Sequence, residues 1–238
     1  MITDLIFDFF GTLVNYDPRL TNKNFSGSHN YLVSQGFSID QQAYLAGWSE
    51  AFAQLEQQAQ VDCQEYPMRA AAQRFLANTF RTTVSEPVAD TLVELFLNDW
   101  NTGVTYFPGI KLYLTELAGD FRLSIITNTH YAPLIDHHLV EMGIAHLFCL
   151  VIKSVEHGLR KPHPQIFTDT LAQLGIGVEQ AIYIGDSFEN DYQGAQAAGL
   201  KSILIDRDRR HLHLDAARVD HLYDIKYSVL WNGITYAR

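Results

Sequence analysis

Apolar and polar positions divide this chain into three textures. The first fourteen residues open with the apolar run Leu5-Ile6-Phe7, which stops at the carboxylate of Asp8 and a Gly11-Thr12 turn. Such a run predicts a buried strand followed by a turn. From about Thr21 to Trp100 the apolar residues recur at helical spacing. One stripe is Ala43, Leu45, Ala46, Trp48, Ala51, Phe52 and Leu55. A second is Met68, Ala71, Ala72, Phe75, Leu76 and Phe80, and a third is Val88, Leu92, Leu95, Phe96 and Trp100. Ser85-Glu86-Pro87 reads as an N-cap with proline in the first turn, and a shorter helix starts near His29 and ends at Gly36. These stripes predict about four helices in a small bundle.

From Phe107 onward helix and strand alternate. The pattern predicts helices over 109–118, 132–142, 163–174 and 191–198. Strands are predicted over 123–127, 149–153, 181–184 and 201–205, with His221-Leu222-Tyr223 as a further short strand. Alternation with apolar strands implies right-handed crossovers and a parallel, doubly wound sheet. The N-terminal strand cannot bury itself alone and must join that sheet. The helical block is therefore an insertion, entered and left through hinges at Asn15–Arg19 and Asn101–Pro108. The domain boundaries that follow are 1–16 with 105–238 for the α/β core, and 17–104 for the helical domain.

Composition narrows the functional classes. The 238 residues are 47% hydrophobic and 18% charged, which suits a packed globule. The net charge of −10 argues against a nucleic-acid or anionic-membrane partner, which would need a basic face. No apolar run reaches bilayer length, and the N-terminus lacks a basic segment before its apolar stretch. Two cysteines, Cys63 and Cys149, are too few for a disulfide scaffold, so a reduced, cytoplasmic setting is expected.

In open α/β sheets ligands bind beyond the carboxyl ends of the strands, where strand order reverses. Four polar clusters fall there: Asp8-Phe9-Phe10-Gly11-Thr12, Thr127-Asn128, Arg160-Lys161-Pro162, and Gly185-Asp186-Ser187-Phe188-Glu189-Asn190-Asp191. A carboxylate such as Asp8 at the end of a buried strand costs several kcal/mol to desolvate unless a metal or a chemical role compensates it. In order and spacing the four clusters resemble the haloacid dehalogenase (HAD) superfamily, and the resemblance covers nearly the whole chain, with a helical cap inserted after the first motif.

The resemblance implies a Rossmannoid core with a cap domain and a hydrolase acting on a small, anionic substrate. Asp8 then matches the nucleophile, Thr127 the hydroxyl that holds the transferring group, and Lys161 the neutralising cation. Asn128, Gly11 and Thr12 match substrate-binding positions. Mg²⁺ would be held by Asp8, the backbone carbonyl of Phe10 and Asp186, with Asp191 as a ligand or just behind one. Hard oxygen donors of this kind suit Mg²⁺. A phosphatase on a small phosphorylated metabolite is the first expectation.

Phe10 departs from the pattern. Phosphatases of this superfamily carry a second aspartate there, which protonates the leaving group and activates water. General acid–base catalysis is worth about 10²–10⁴-fold, so ordinary phosphomonoesters should turn over slowly unless Glu189, a cap residue or water substitutes. The superfamily's 2-haloacid dehalogenases carry an aromatic residue at this position, and a halide needs no proton. They also need a cap arginine; between Arg19 and Arg69 this segment has none, and Arg19, near the hinge, could serve but at a spacing unlike theirs, and they lack the Asp186/Asp191 pair. A carbon–phosphorus-cleaving branch would need a cap lysine, of which Lys23 is the sole candidate. A non-catalytic binding protein of the same fold is the remaining alternative.

Other polar groups are expected to be structural. Arg207, Arg209, Arg210, His211 and His213 read as an exposed basic loop. His137 and His138 are adjacent on a helix and do not share a face. His130 lies near Asn128. Asn15, Tyr16 and Asp17, by contrast, lie beside Asp8 at the hinge and are candidates for substrate contact, while Tyr44, Trp48 and Phe52 read as core of the helical bundle.

Overall fold

The computed structural model describes residues 1–17, 25–82 and 84–226. It divides into two compact units, one of Met1–Asn15 with Tyr106–Arg238 and one of Tyr16–Thr105.

The first unit is built on a six-stranded sheet. β1 (Asp4–Phe7) precedes a three-residue strand β2 (Val14–Tyr16). After the helical unit come β3 (Val104–Tyr106), α5 (Ile110–Asp120), β4 (Arg122–Thr127), α6 (Ala132–Glu141) and β5 (Phe148–Lys153). The short α7 (Ser154–His157), α8 (Pro164–Leu174), β6 (Ala181–Gly185), a π-turn over Phe188–Gln193, α9 (Gly194–Ala197), β7 (Lys201–Ile205) and β8 (Arg218–Val219) complete it. The strand order is β5-β4-β1-β6-β7-β8, and every neighbouring pair is parallel. The expected doubly wound sheet is therefore present. The chain leaves β1 for β4 and β5 on one side, then returns to β6 and β7 on the other. Strand order thus reverses at β1, and a crevice opens at its carboxyl end.

All four residues of β1 are buried, as are all five of β6. Ile6, Ile126 and Tyr183 from three strands pack with Ile166, Phe167 and Leu171 of α8. Continuous apolar strands form here because both sheet faces are covered.

The second unit holds four helices: α1 (Ser26–Ser34), α2 (Gln41–Asp62), α3 (Met68–Phe80) and α4 (Glu86–Asn101). Asp40 caps α2 by accepting the Ala43 N–H at 2.8 Å. Ser85 stands at the N-cap of α4 without a side-chain capping bond, while Pro87 sits in the first turn as expected. Trp48 stacks on Phe75 at 4.9 Å and lies 4.3 Å from Phe96, so one ring ties α2 to both α3 and α4. Gly47 permits this approach, since a Cβ there would lie 2.8 Å from the Phe75 ring. Among the described residues no helix is long and apolar enough to cross a membrane.

Three local expectations are corrected. The hinges contain β2 and β3, which pair as a two-stranded sheet. The segment expected as a strand at His221-Leu222-Tyr223 is a helical turn over Leu222–Asp224, and the sixth strand is β8, four residues earlier. The helix expected over 191–198 begins instead as the π-turn at Phe188. Arg19 and Lys23 lie outside the described residues.

Candidate active site

The site gathers at the carboxyl ends of β1, β4 and β6 and the segment after β5. Asp8 follows β1, and its N–H donates to the Ile184 carbonyl at 2.9 Å, which continues the β1–β6 ladder by one residue. Its carboxylate is therefore aimed by the sheet itself. Lys161 reaches it from the loop before α8: Nζ donates to Asp8 Oδ1 at 2.6 Å and to Asp191 Oδ1 at 2.7 Å. The third ammonium proton goes to the Tyr183 hydroxyl at 2.8 Å. All three donors of Lys161 are thus engaged, and the residue is 2% exposed.

Asp186 and Asp191 enter from the end of β6 and the π-turn. Carboxylate oxygens of Asp8, Asp186 and Asp191 all lie within 4.8 Å of one another. Asp191 is held on both sides, since its Oδ2 also accepts the Ser187 N–H at 2.9 Å. Thr12 Oγ1 bridges the other edge, 3.4 Å from Asp8 Oδ2 and 3.3 Å from Asp186 Oδ1. Gly11 adopts a left-handed φ of 84°, and a Cβ there would lie 2.2 Å from Asp186 Oδ2. Only glycine fits this turn beside that carboxylate.

The electrostatics are unbalanced. Three carboxylates face the buried ammonium of Lys161, with the half-buried Arg207 as a second cation acting on Asp186. Burial pushes the Asp8 pKa up to about 7; Lys161 opposes that rise, while Asp191 and Asp186 add to it. Asp186 keeps exposed surface, yet the protein crowded around its carboxylate, and then Asp191, push it up to about 6. For Lys161 burial acts downward, but Asp191 and Asp8 outweigh it, so its pKa rises. A divalent cation would relieve these strains together, and clustered carboxylate oxygens are the donors that a hard cation takes.

The remaining expected residues also converge here. Thr127 ends β4 and is 1% exposed. Asn128 engages Lys161 through both ends of its amide: Nδ2 donates to the Lys161 carbonyl, and Oδ1 accepts the Lys161 N–H, each at 2.9 Å. Its observed place is thus to hold the segment that delivers Lys161. Phe10 packs edge-on against Phe9 at 5.1 Å and against His138 at 6.0 Å. Glu189 is exposed.

Two residues near the site escaped the sequence reading. Tyr183 hides in the apolar strand Ala181-Ile182-Tyr183-Ile184, where it looks like core. Its hydroxyl accepts from Lys161, while Asp191 Oδ1 at 3.1 Å and the Ile126 carbonyl at 3.0 Å are the acceptors in its reach. Arg207 reads as part of an exposed basic run, but it is half-buried and donates to the Gly11 carbonyl at 2.6 Å.

Comparison with known proteins agrees with this assembly. The sequence model of the haloacid dehalogenase-like hydrolases matches residues 5–205. The chain belongs to this family. A phosphoglycolate phosphatase from Pectobacterium atrosepticum is 27% identical over 210 residues, covering 85% of this chain and 79% of that protein. A glyceraldehyde 3-phosphate phosphatase from Methanopyrus kandleri is 39% identical over 71 residues, 30% of each chain. The chain spans only 30% to 57% of the length of three of the curated phosphatases it matches. Among solved structures, a 2-haloacid dehalogenase from Pseudomonas syringae pv. Tomato superposes with a TM-score of 0.74. The match covers 96% of this chain and 98% of that one, and at 21% identity it is a likeness of fold. The fold neighbours of this HAD family member are named both as dehalogenases and as phosphatases, while several sequence relatives are named as phosphatases.

Proposed function

We propose that this HAD hydrolase is a Mg²⁺-dependent phosphatase acting on a small phosphorylated metabolite, with Asp8 as nucleophile. The observation that carries the reading is the triad of carboxylates within 4.8 Å of one another, with Lys161 bonded to two of them. Asp8, Asp186 and the Phe10 carbonyl would hold the cation, with Asp191 beside them. Bound there, Mg²⁺ would supply positive charge opposite the phosphoryl oxygens.

The chain's own groups divide the remaining tasks. Lys161 orients Asp8 through Oδ1, while Thr12 makes a long contact to Oδ2. A bond forms from an Asp8 oxygen to phosphorus as the bond to the leaving oxygen breaks, and the leaving group takes the electron pair. Thr127, at the end of β4, would donate to the phosphoryl group. Water then cleaves the aspartyl phosphate and regenerates Asp8.

Phe10 decides which leaving groups suit the site. Its ring carries no proton, so a departing alkoxide receives no general-acid help. An acyl phosphate, whose carboxylate leaves unprotonated, fits best. The same ring favours a second reading, dehalogenation of a 2-haloacid, because halide also needs no proton; the acidic triad and the phosphatase names of the sequence relatives argue against it.

The test compares acetyl phosphate with glycerol phosphate, with and without Mg²⁺, in wild type and Phe10→Asp. Acetyl phosphate turnover should be Mg²⁺-dependent and well above that of the alkyl ester. Phe10→Asp should then raise the alkyl rate by up to about 10²–10⁴-fold. Equal rates on both substrates, unaltered in Phe10→Asp, would sink the preference for an acyl phosphate. Metal-independent release of halide from 2-chloropropionate would favour the second reading.

A further inference from the structure

The turn from Phe9 to Val14 is tied by its own backbone. The Phe9 carbonyl accepts from Leu13 at 2.8 Å, Val14 at 3.1 Å and Thr12 at 3.3 Å, and the Gly11 N–H donates to the Val14 carbonyl at 2.8 Å. That last bond fixes the peptide plane joining Phe10 to Gly11, and in a trans peptide the Phe10 carbonyl then points the opposite way. The next plane, after Gly11, is tied by the long 3.3 Å bond from the Thr12 N–H to the Phe9 carbonyl and has no short bond within the turn. Glycine has the freest backbone of any residue, and Gly11 has no side chain to hold its left-handed conformation.

Arg207 supplies what the turn lacks. Its Nη2 donates to the Gly11 carbonyl at 2.6 Å across 196 residues of chain. The guanidinium lies 4.4 Å over the Phe107 ring, which limits its movement. It also borders a polar cavity of about 270 Å³ that Gly11, Asn15, Asp186, Asp206, Arg210 and His211 help line. The neighbouring cation Arg210 is neutralised by Asp208 at 2.7 Å. Burial lowers the Arg207 pKa and Asp186 opposes that fall, yet an arginine stays charged throughout.

We infer that Arg207 is a positioning residue, a clamp that fixes the plane after Gly11, places the Thr12 hydroxyl against Asp8 and Asp186, and steadies the turn whose preceding plane carries the Phe10 carbonyl. The inference deepens the proposed function, because the Phe10 carbonyl matters chemically only if the cation site is real. The clamp itself stands on geometry alone. Charge and clamping make opposite predictions about the metal. Arg207 is a cation near an acidic cluster, so if only its charge mattered, removing it would tighten Mg²⁺ binding. If it clamps the turn, removing it disorders a ligand and weakens binding.

The experiment has two arms, on the full chain of wild type, Arg207→Ala and Arg207→Lys. The first follows amide hydrogen exchange by NMR in metal-free protein. In Arg207→Ala the amides of Gly11, Thr12, Leu13 and Val14 should exchange about tenfold faster or more, the change expected when a charge-assisted hydrogen bond is lost. Those of Leu5, Ile6 and Phe7 should keep their rates. Arg207→Lys keeps the charge without the planar fork and should recover part of the protection. The second arm titrates Mg²⁺ calorimetrically and expects binding about tenfold weaker in Arg207→Ala. Unchanged exchange in the turn, or tighter Mg²⁺ binding, overturns the clamp. Faster exchange in a protein whose wild type binds no Mg²⁺ supports the clamp and removes the metal from the proposed function.

Discussion

Both units of this chain bury polar groups, and they treat them in opposite ways. In the helical unit the buried carboxylate of Asp99 accepts the Ser28 N–H and the Ser28 hydroxyl, each at 3.2 Å, while Tyr44 donates to that hydroxyl at 2.8 Å. One negative charge is met by a set of donors, and the surrounding core is a stack of rings centred on Trp48. In the α/β unit three carboxylates share one ammonium, and the balance is visibly incomplete. The first arrangement is a satisfied structural knot. The second is poorly suited to stabilising a fold, because buried like charges repel and resist ionisation. The contrast sets the proposed chemistry in the α/β unit apart from the satisfied polar cluster and aromatic core of the other.

Substitutions can break this comparison, and the largest effect belongs to Asp8. Asp8→Asn should lower phosphatase turnover by about 10⁴-fold or more, as loss of a covalent nucleophile does. Metal-free Asp8→Asn should also melt no lower than wild type, and a rise of about 2–4 °C would correspond to about 1 kcal/mol in a chain of this size. A clear drop in Tm would mean that the carboxylate is structural after all. Trp48→Ala, by contrast, should cost about 3–5 kcal/mol, the usual penalty for emptying a large aromatic site. Urea denaturation would read it as an earlier transition.

How far the site could be read from sequence follows from where its residues sit. Asp8, Thr127, Lys161 and Asp186 each directly follow a predicted strand or its loop, and a parallel sheet brings strand ends together. Their convergence was therefore legible once the alternation of helix and strand was recognised. Tyr183 was not, because a tyrosine within an apolar strand looks like core until its hydroxyl is seen beneath Lys161. Arg207 was misread because its burial depends on Phe107, a hundred residues earlier in the chain. Strands β2, β3 and β8 have three, three and two residues, too few to show a period. Asn128 was legible as a site residue, but its reciprocal bonds to the Lys161 backbone belong to tertiary structure.

Smaller effects sharpen the picture. Tyr183→Phe removes one of the three acceptors of Lys161 and should lower kcat about tenfold with a smaller change in KM, because it loosens a group that orients the nucleophile. Steady-state kinetics on acetyl phosphate would separate the two terms. A KM change alone would place Tyr183 outside the catalytic step.

The smallest effect concerns His138, which is buried against Phe9 and Phe10 and shares a 2.9 Å hydrogen bond between its Nδ1 and the Tyr106 hydroxyl. Burial first, then His137, pushes its pKa from the ordinary 6.5 down to about 4. Between these values the unfolded chain takes a proton that the folded chain refuses. The stability from His138 is therefore whole above about pH 6.5 and declines as pH falls toward about 4. Asp8 and Asp186, raised to about 7 and about 6, act in the opposite direction over the same range, so the His138 share is read as a difference: wild type should lose urea stability relative to His138→Gln as pH falls from about 6.5 toward about 4. An identical slope in His138→Gln would assign the pH dependence elsewhere.

The central claim is that Asp8 attacks phosphorus while Phe10 leaves the second step without a proton carrier. The intermediate should then accumulate. The most direct measurement is mass spectrometry of a rapid acid quench after mixing protein, Mg²⁺ and acetyl phosphate. The account predicts a phosphoryl adduct on the peptide containing Asp8, absent without Mg²⁺ and absent in Asp8→Asn. Undiminished turnover of acetyl phosphate by Asp8→Asn, or an adduct on any other residue, would contradict it.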